Sequence, residues 1–144
     1  MLPSPIRVLR PPLLAVLGLA LVTPAFSQDD GTLSLQLNAL AQAEAGCRTT
    51  FVSTNGLGEA LDGFAIEIAL FDTDGLVSGL SALDFGAMSP ERTRVVQFTL
   101  PDTDCTGIGR ILINDVSVCS GPADPGACLA ALAPETRTDS AFGL

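Results

Sequence analysis

The chain has 144 residues, with seven cationic side chains, all arginine, against sixteen Asp and Glu, for a formal charge of −9. Such a surface repels nucleic acid and anionic lipid. It also contains no His, Lys, Trp or Tyr, which excludes imidazole general acid–base chemistry and the His or Lys that activates a Ser or Cys nucleophile, and leaves zinc only Cys and carboxylates.

At the N-terminus, Arg7 and Arg10 precede an apolar run, Leu13–Val22. The run is shorter than the roughly 20 residues that cross a bilayer as a helix. Pro24 ends it, and Ala25-Phe26-Ser27 puts small residues at the −3 and −1 positions of a peptidase site. Residues 1–27 thus read as a cleavable signal peptide, with Gln28 as the mature start. No Cys follows the apolar run and no adjacent Arg pair precedes it, which favours the general secretion route over a lipoprotein anchor or twin-arginine export. Removing residues 1–27 leaves 117 residues, with five Arg against all sixteen acids, hence a mature charge of −11. The destination is the periplasm or the exterior, with no membrane span after cleavage, and arginine without lysine suggests a GC-rich bacterial genome.

The remainder divides into a domain at 28–133 and a tail at 134–144. Thr32–Asn38 alternates, with Leu33, Leu35 and Leu37 on one face, as a half-buried strand does. Leu40–Glu44 is Ala-rich and is expected to be briefly helical. A second strand, Cys47–Thr54, ends at the turn signal Asn55-Gly56. In the third, Phe64, Ile66, Ile68 and Leu70 share a face, with Ala65, Glu67, Ala69 and Phe71 opposite. Asp72-Thr73-Asp74-Gly75 makes a hairpin, returning through Leu76–Val77 and Leu80–Phe85. Thr93–Leu100 is a fifth strand, with Val96, Phe98 and Leu100 inward and Arg94, Gln97 and Thr99 outward. Ile108–Cys119 is a sixth, its period slipping at Asn114-Asp115, where a bulge is expected. Gly121–Gly126 reads as a loop, and the tail from Pro134 as a short edge strand or a loose end. The fold class is all-β, an antiparallel Ig-like β-sandwich of six to seven strands.

Cys47, Cys105, Cys119 and Cys128 are even in number and exported, which indicates two disulfides. If successive strands alternate in direction, Cys47 and Cys105 lie at the same end of the sandwich. Cys119 lies at the other end, on the order of 40 Å along an extended strand. Since a disulfide needs Cα atoms within about 7 Å, the pairs are Cys47–Cys105 and Cys119–Cys128.

Ile68-Ala69-Leu70-Phe71-Asp72, followed by a turn ending in Gly75, resembles the name-giving pattern of the FxLYD type of bacterial exported β-sandwich domain. Phe51–Asn55 upstream is similar to the strand ending in Asn that precedes that pattern. Met88-Ser89-Pro90 leading to Val96–Leu100 is similar to the loop and strand that close it. The resemblance spans roughly residues 49–100 and implies an accessory or interaction module without catalytic residues. Ile68 stands for the first Phe, Phe71 for the Tyr, and Glu91 where a Gly usually follows the Pro.

Four groups of polar residues are candidates for a site. Asp72, Asp74 and Gly75 suggest calcium, but Gly75 follows Asp74 directly and position 12 of the loop is Leu83, so a hairpin turn is the preferred reading. Asp102, Asp104 and Asp115 are candidates to gather with Asp62 or Glu59 at one end, with solvated loop charge the preferred reading. Arg92 and Arg94 flank Thr93 on a polar strand face, where they hold an acidic partner or form cross-strand ion pairs. Asn114 and Asp115 sit at the expected bulge, which either re-aims side chains for binding or corrects register. The expected function is an exported, non-catalytic binding or accessory module acting through a sheet face or edge strand on an envelope or periplasmic protein, with no cofactor. The alternatives are an exported carboxylate- or metal-dependent hydrolase and a structural envelope component. Peptide mapping without reductant is expected to return Cys47–Cys105 and Cys119–Cys128; a Cys47–Cys119 link would overturn the strand layout.

Overall fold

The computed structural model describes residues 31–121 and 123–144; the signal-peptide reading of residues 1–27, with Gln28 as mature start, lies outside them. Among the described residues the chain forms β1 (Leu33–Ala43), β2 (Gly46–Asn55), β3 (Leu61–Asp72), β4 (Val77–Met88), β5 (Thr93–Pro101), a 3-10 turn (Cys105–Gly107), β6 (Ile108–Ser120), α1 (Pro125–Ala131), β7 (Leu132–Thr136) and β8 (Ala141–Gly143). The strands make two four-stranded sheets, in the orders β5-β2-β1-β7 and β4-β3-β6-β8. The expected all-β sandwich forms, but its sheets are mixed, since β7 runs parallel to β1 and β8 parallel to β6. The cause is the tail, which joins the β2 sheet, crosses over residues 137–140, and joins the β3 sheet in the reverse direction. Residues 132–136 and 141–143 are too short to show a period, which is why the sequence pattern predicts six to seven strands where the described residues form eight.

Alternation builds the core. Leu33, Leu35 and Leu37 from β1 face Phe64, Ile66, Ile68 and Leu70 from β3, all buried. Phe51, Phe64, Phe85, Phe98 and Phe142 interlock between the sheets at centroid distances of 5.1 to 6.0 Å. These edge-on and tilted pairs add to the burial of large apolar rings. Phe142 contributes from β8, so the tail is packed into the core.

Two local expectations change. Leu40–Glu44 is not helical: β1 continues to Ala43, paired with β2 up to Ala43–Gly46, and bulges at Asn38. A five-residue Ala-rich stretch is too short to nucleate a helix, and ladder pairing outweighs its propensity. Gly46 is required at the hairpin's end, with φ 140° and a position at which a Cβ would overlap the Leu100 carbonyl. The second change is α1, where a loop was expected. Asp124 caps it by accepting from the Ala127 amide at 2.9 Å, and Pro125 occupies the first turn, where its missing N–H costs nothing. The expected bulge in β6 is present: Glu67 faces Asp115, the next pair is Ile68–Ile113, and Asn114 is the extra residue.

Both disulfides connect as the parity of the strands requires. Cys47 in β2 joins Cys105 in the 3-10 turn with Cα atoms 5.0 Å apart, and Cys119 at the end of β6 joins Cys128 in α1 at 6.4 Å. The first closes a span of 58 residues and the second a span of nine. On the loop-entropy model these contribute about 4 and about 2.6 kcal/mol.

The opposite end of the sandwich is held by Asn55. Its side chain is fully buried and donates to the carbonyls of Glu59 at 2.7 Å and Met88 at 3.0 Å, while its Oδ1 accepts from the Leu57 amide at 3.0 Å. Its backbone carbonyl accepts from the Glu91 amide at 2.8 Å. One residue thus fixes the β2–β3 crossover, the end of β4 and the β4–β5 turn. Asn55→Leu leaves one amide and two carbonyls without their partner, and is expected to cost about 3 kcal/mol, measured by urea denaturation. A loss below about 1 kcal/mol would contradict this role.

Candidate functional site

The sandwich has two long sides, each crossed by one short connection. On one, β7 and β8 are joined by residues 137–140, and Ser140 Oγ donates to the Ile108 carbonyl at 2.7 Å. On the other, β4 and β5 are edge strands of separate sheets, joined at the Asn55 end by residues 89–92. Arg94 bridges part of the gap between them. The sequence pattern placed Arg94 outward with Gln97 and Thr99, but it shares the parity of Val96, Phe98 and Leu100, and Val95 is the exposed residue. From that position its Nη1 donates to the carbonyls of Phe85 at 3.1 Å and Ala87 at 2.6 Å. A charged donor on two edge carbonyls blocks strand addition there. Arg94 is thus a stitch between sheets. Arg92 stands exposed just before β5.

Toward the Cys47 end the stitch stops, and a groove of about 460 Å³ opens. Ser78–Ser81 of β4 forms one wall, the loop Pro101–Asp104 the other, and Leu70, Leu100 and Ile108 lie at its base. This volume is within the range of ligand sites. Beside the groove, Leu76, Val77 and Leu80 are 66, 60 and 67% exposed. Val77 pairs across the sheet with Phe71, and Leu80 with Ala69; β6 continues the same rows with Arg110 and Leu112. The Arg110 guanidinium lies 5.8 Å from the centre of the Phe71 ring. An apolar strip therefore covers this part of the outer β3 sheet. The outer β2 sheet is mostly polar by contrast, the Val52–Val95 pair excepted: Gln97 donates to Thr50 at 3.0 Å, and the Thr54 and Thr93 hydroxyls pair at 2.9 Å.

The acids do not gather as one group. Asp72 organises the β3–β4 hairpin, its Oδ1 accepting from the Asp74 and Leu76 amides, each at 2.9 Å. Asp102 and Asp104 are at this same end and line the groove. Glu59 and Asp62 are at the Asn55 end. Asp115 lies across the sheet from Glu67, where Asn114 donates to Glu67 at 2.6 Å. Among the described residues no three His, Cys, Asp or Glu side chains are placed to hold a metal. The sequence reading missed the groove, although Leu76, Val77 and Leu80, apolar residues beside a turn, were its available signal. No family model matches the chain, and no curated protein or solved structure matches it either.

Asp104 has a shifted acidity. The Thr106 amide donates to its Oδ1 at 2.9 Å and the Thr106 hydroxyl at 2.8 Å. The backbone bond first, and the hydroxyl second, hold its pKa below the ordinary aspartate value, against a small opposing effect of desolvation. A carboxylate lowered in the folded state stabilises above its unfolded pKa, about 3.9, and loses that contribution as pH falls through the folded value. Thr106→Val, which keeps the amide and removes the hydroxyl, is expected to raise the Asp104 midpoint part of the way in an NMR titration. An unchanged midpoint would remove the hydroxyl from the account.

Proposed function

We propose that the protein is an exported, non-catalytic binding module that works through the open side of its sandwich, on a partner in the envelope or periplasm. The observation that carries this reading is β4, whose second half is stitched by Arg94 while its first half combines a bare edge with exposed Val77 and Leu80. A long apolar edge is a template for pairing, and proteins that do not use one usually shorten, charge or cover it. An adjacent apolar strip gives the same surface a second means of contact. Two disulfides fit an oxidising, extracytoplasmic compartment. The FxLYD resemblance supports the same reading, since domains of that type act as accessory or interaction modules.

The double variant Val77→Asp/Leu80→Asp changes two exposed side chains and is expected to melt within a few degrees of the wild type. Immobilised wild-type protein is expected to retain an envelope protein at least tenfold more than the variant. Equal retention by the two proteins would overturn the assignment of this surface.

A further inference from the structure

The groove at the Cys47 end has a chemical asymmetry that narrows what it accepts. One wall is a strand edge; the other carries two exposed carboxylates, Asp102 and Asp104, and no cationic residue lines it. Its base is apolar. The free stretch of β4, from Val77 to Leu83, ends where Arg94 takes the carbonyls of Phe85 and Ala87. Seven residues of strand span about 23 Å at roughly 3.3 Å per residue.

A chain that adds to this edge presents alternate side chains to opposite faces. Those turned outward continue the rows of Val77 and Leu80 and meet an apolar strip. Those turned inward pass over Leu100 and meet Asp102 and Asp104. A second copy of this protein is a poor occupant, because the chain carries −9 overall and like charges would be brought together at the contact. We infer that the open half of β4 accepts an extended peptide segment in which Arg or Lys alternates with Val, Ile or Leu, with the basic side chains facing Asp102 and Asp104. This rests on the binding-module reading above and adds to it the class of partner: a basic, β-forming segment of another protein.

The aqueous rim of the groove makes the charge contribution salt-dependent. The edge contribution consists of main-chain hydrogen bonds and is indifferent to sequence. Base chemistry, edge and charge therefore separate experimentally.

The probes are two synthetic peptides, one alternating Val with Arg and one alternating Val with Glu, each with an N-terminal Trp. The protein has neither Trp nor Tyr, so peptide fluorescence is read without background. The Arg peptide is expected to bind at least tenfold more tightly than the Glu peptide, and to weaken several-fold between 50 and 300 mM salt, roughly as exposed charge pairs do. It is also expected to slow hydrogen exchange in Val77–Leu83 and not in β7. Asp102→Asn/Asp104→Asn should remove most of the preference for Arg, and each Asn preserves its local backbone: Asn tolerates the positive φ of 52° at Asp102 and the capping geometry at Asp104. Equal binding of the two peptides with protection on β4 would overturn the charge assignment and leave the binding-module reading in place. No binding of either peptide, with a partner still lost from the Val77→Asp/Leu80→Asp variant, would overturn strand addition by a basic segment and again leave that reading. Dimerisation through β4 on size exclusion at high concentration would overturn the inference in favour of self-pairing.

Discussion

The Asn55 amide joins three chain segments that strand pairing alone leaves apart. A sandwich holds each sheet by its ladder and the two sheets by apolar contact, but neither force dictates how a crossover enters the next sheet. Here a fully buried side chain does so, with both donors and its acceptor satisfied. A buried amide is stabilising only when complete, because each unmet group carries its whole desolvation cost. That condition makes the arrangement specific: the crossover, the end of β4 and the β4–β5 turn must all arrive for any of them to be favourable. The Cys47–Cys105 disulfide has the corresponding place at the other end, tying β2 to the loop that enters β6.

How much of this was legible depends on range. Strict alternation in β1 and β3, and the Asp-Gly hairpin between β3 and β4, are local patterns with one physical meaning, and they hold in the structure. Strand parity then settled the cysteine pairs without any knowledge of the sheets. The failures share a cause. Leu40–Ala43 has a helical composition, but its backbone is claimed by β2. Asp124-Pro125 is a legible helix start that the surrounding Gly and Pro obscured. Arg94 was assigned by its charge to the solvent face, although its parity puts it inward. An arginine there is intelligible only once the neighbouring sheet supplies carbonyls at the gap. The candidate groove was missed for the same reason: apolar Val77 and Leu80 mark the strand, but being an edge is a property of the sheet order.

The two flanks of the sandwich represent two solutions to one problem. On the β7–β8 side the chain runs across at one end, and both edge strands are short. On the β4–β5 side the chain crosses at the Asn55 end, a single guanidinium covers two carbonyls beside it, and the far half of β4 is bare. The outer faces differ in parallel, with hydroxyl and amide pairs over the β2 sheet and an apolar strip over the β3 sheet. A protein of this charge has ample means to make every surface polar, so the unevenness itself distinguishes one quarter of the molecule.

The parallel pairing of β1 with β7 has a kinetic consequence. Leu33 sits beside Leu132, so β1 keeps one edge unpaired until β7, far along the chain, is present. A polypeptide emerging N-terminus first, from a ribosome or a pore, can form the β1–β2 and β3–β4 hairpins early. It completes neither sheet until β7 and β8 have emerged, because β8 is an edge strand of the other sheet. Folding of this domain is thereby delayed by its own topology.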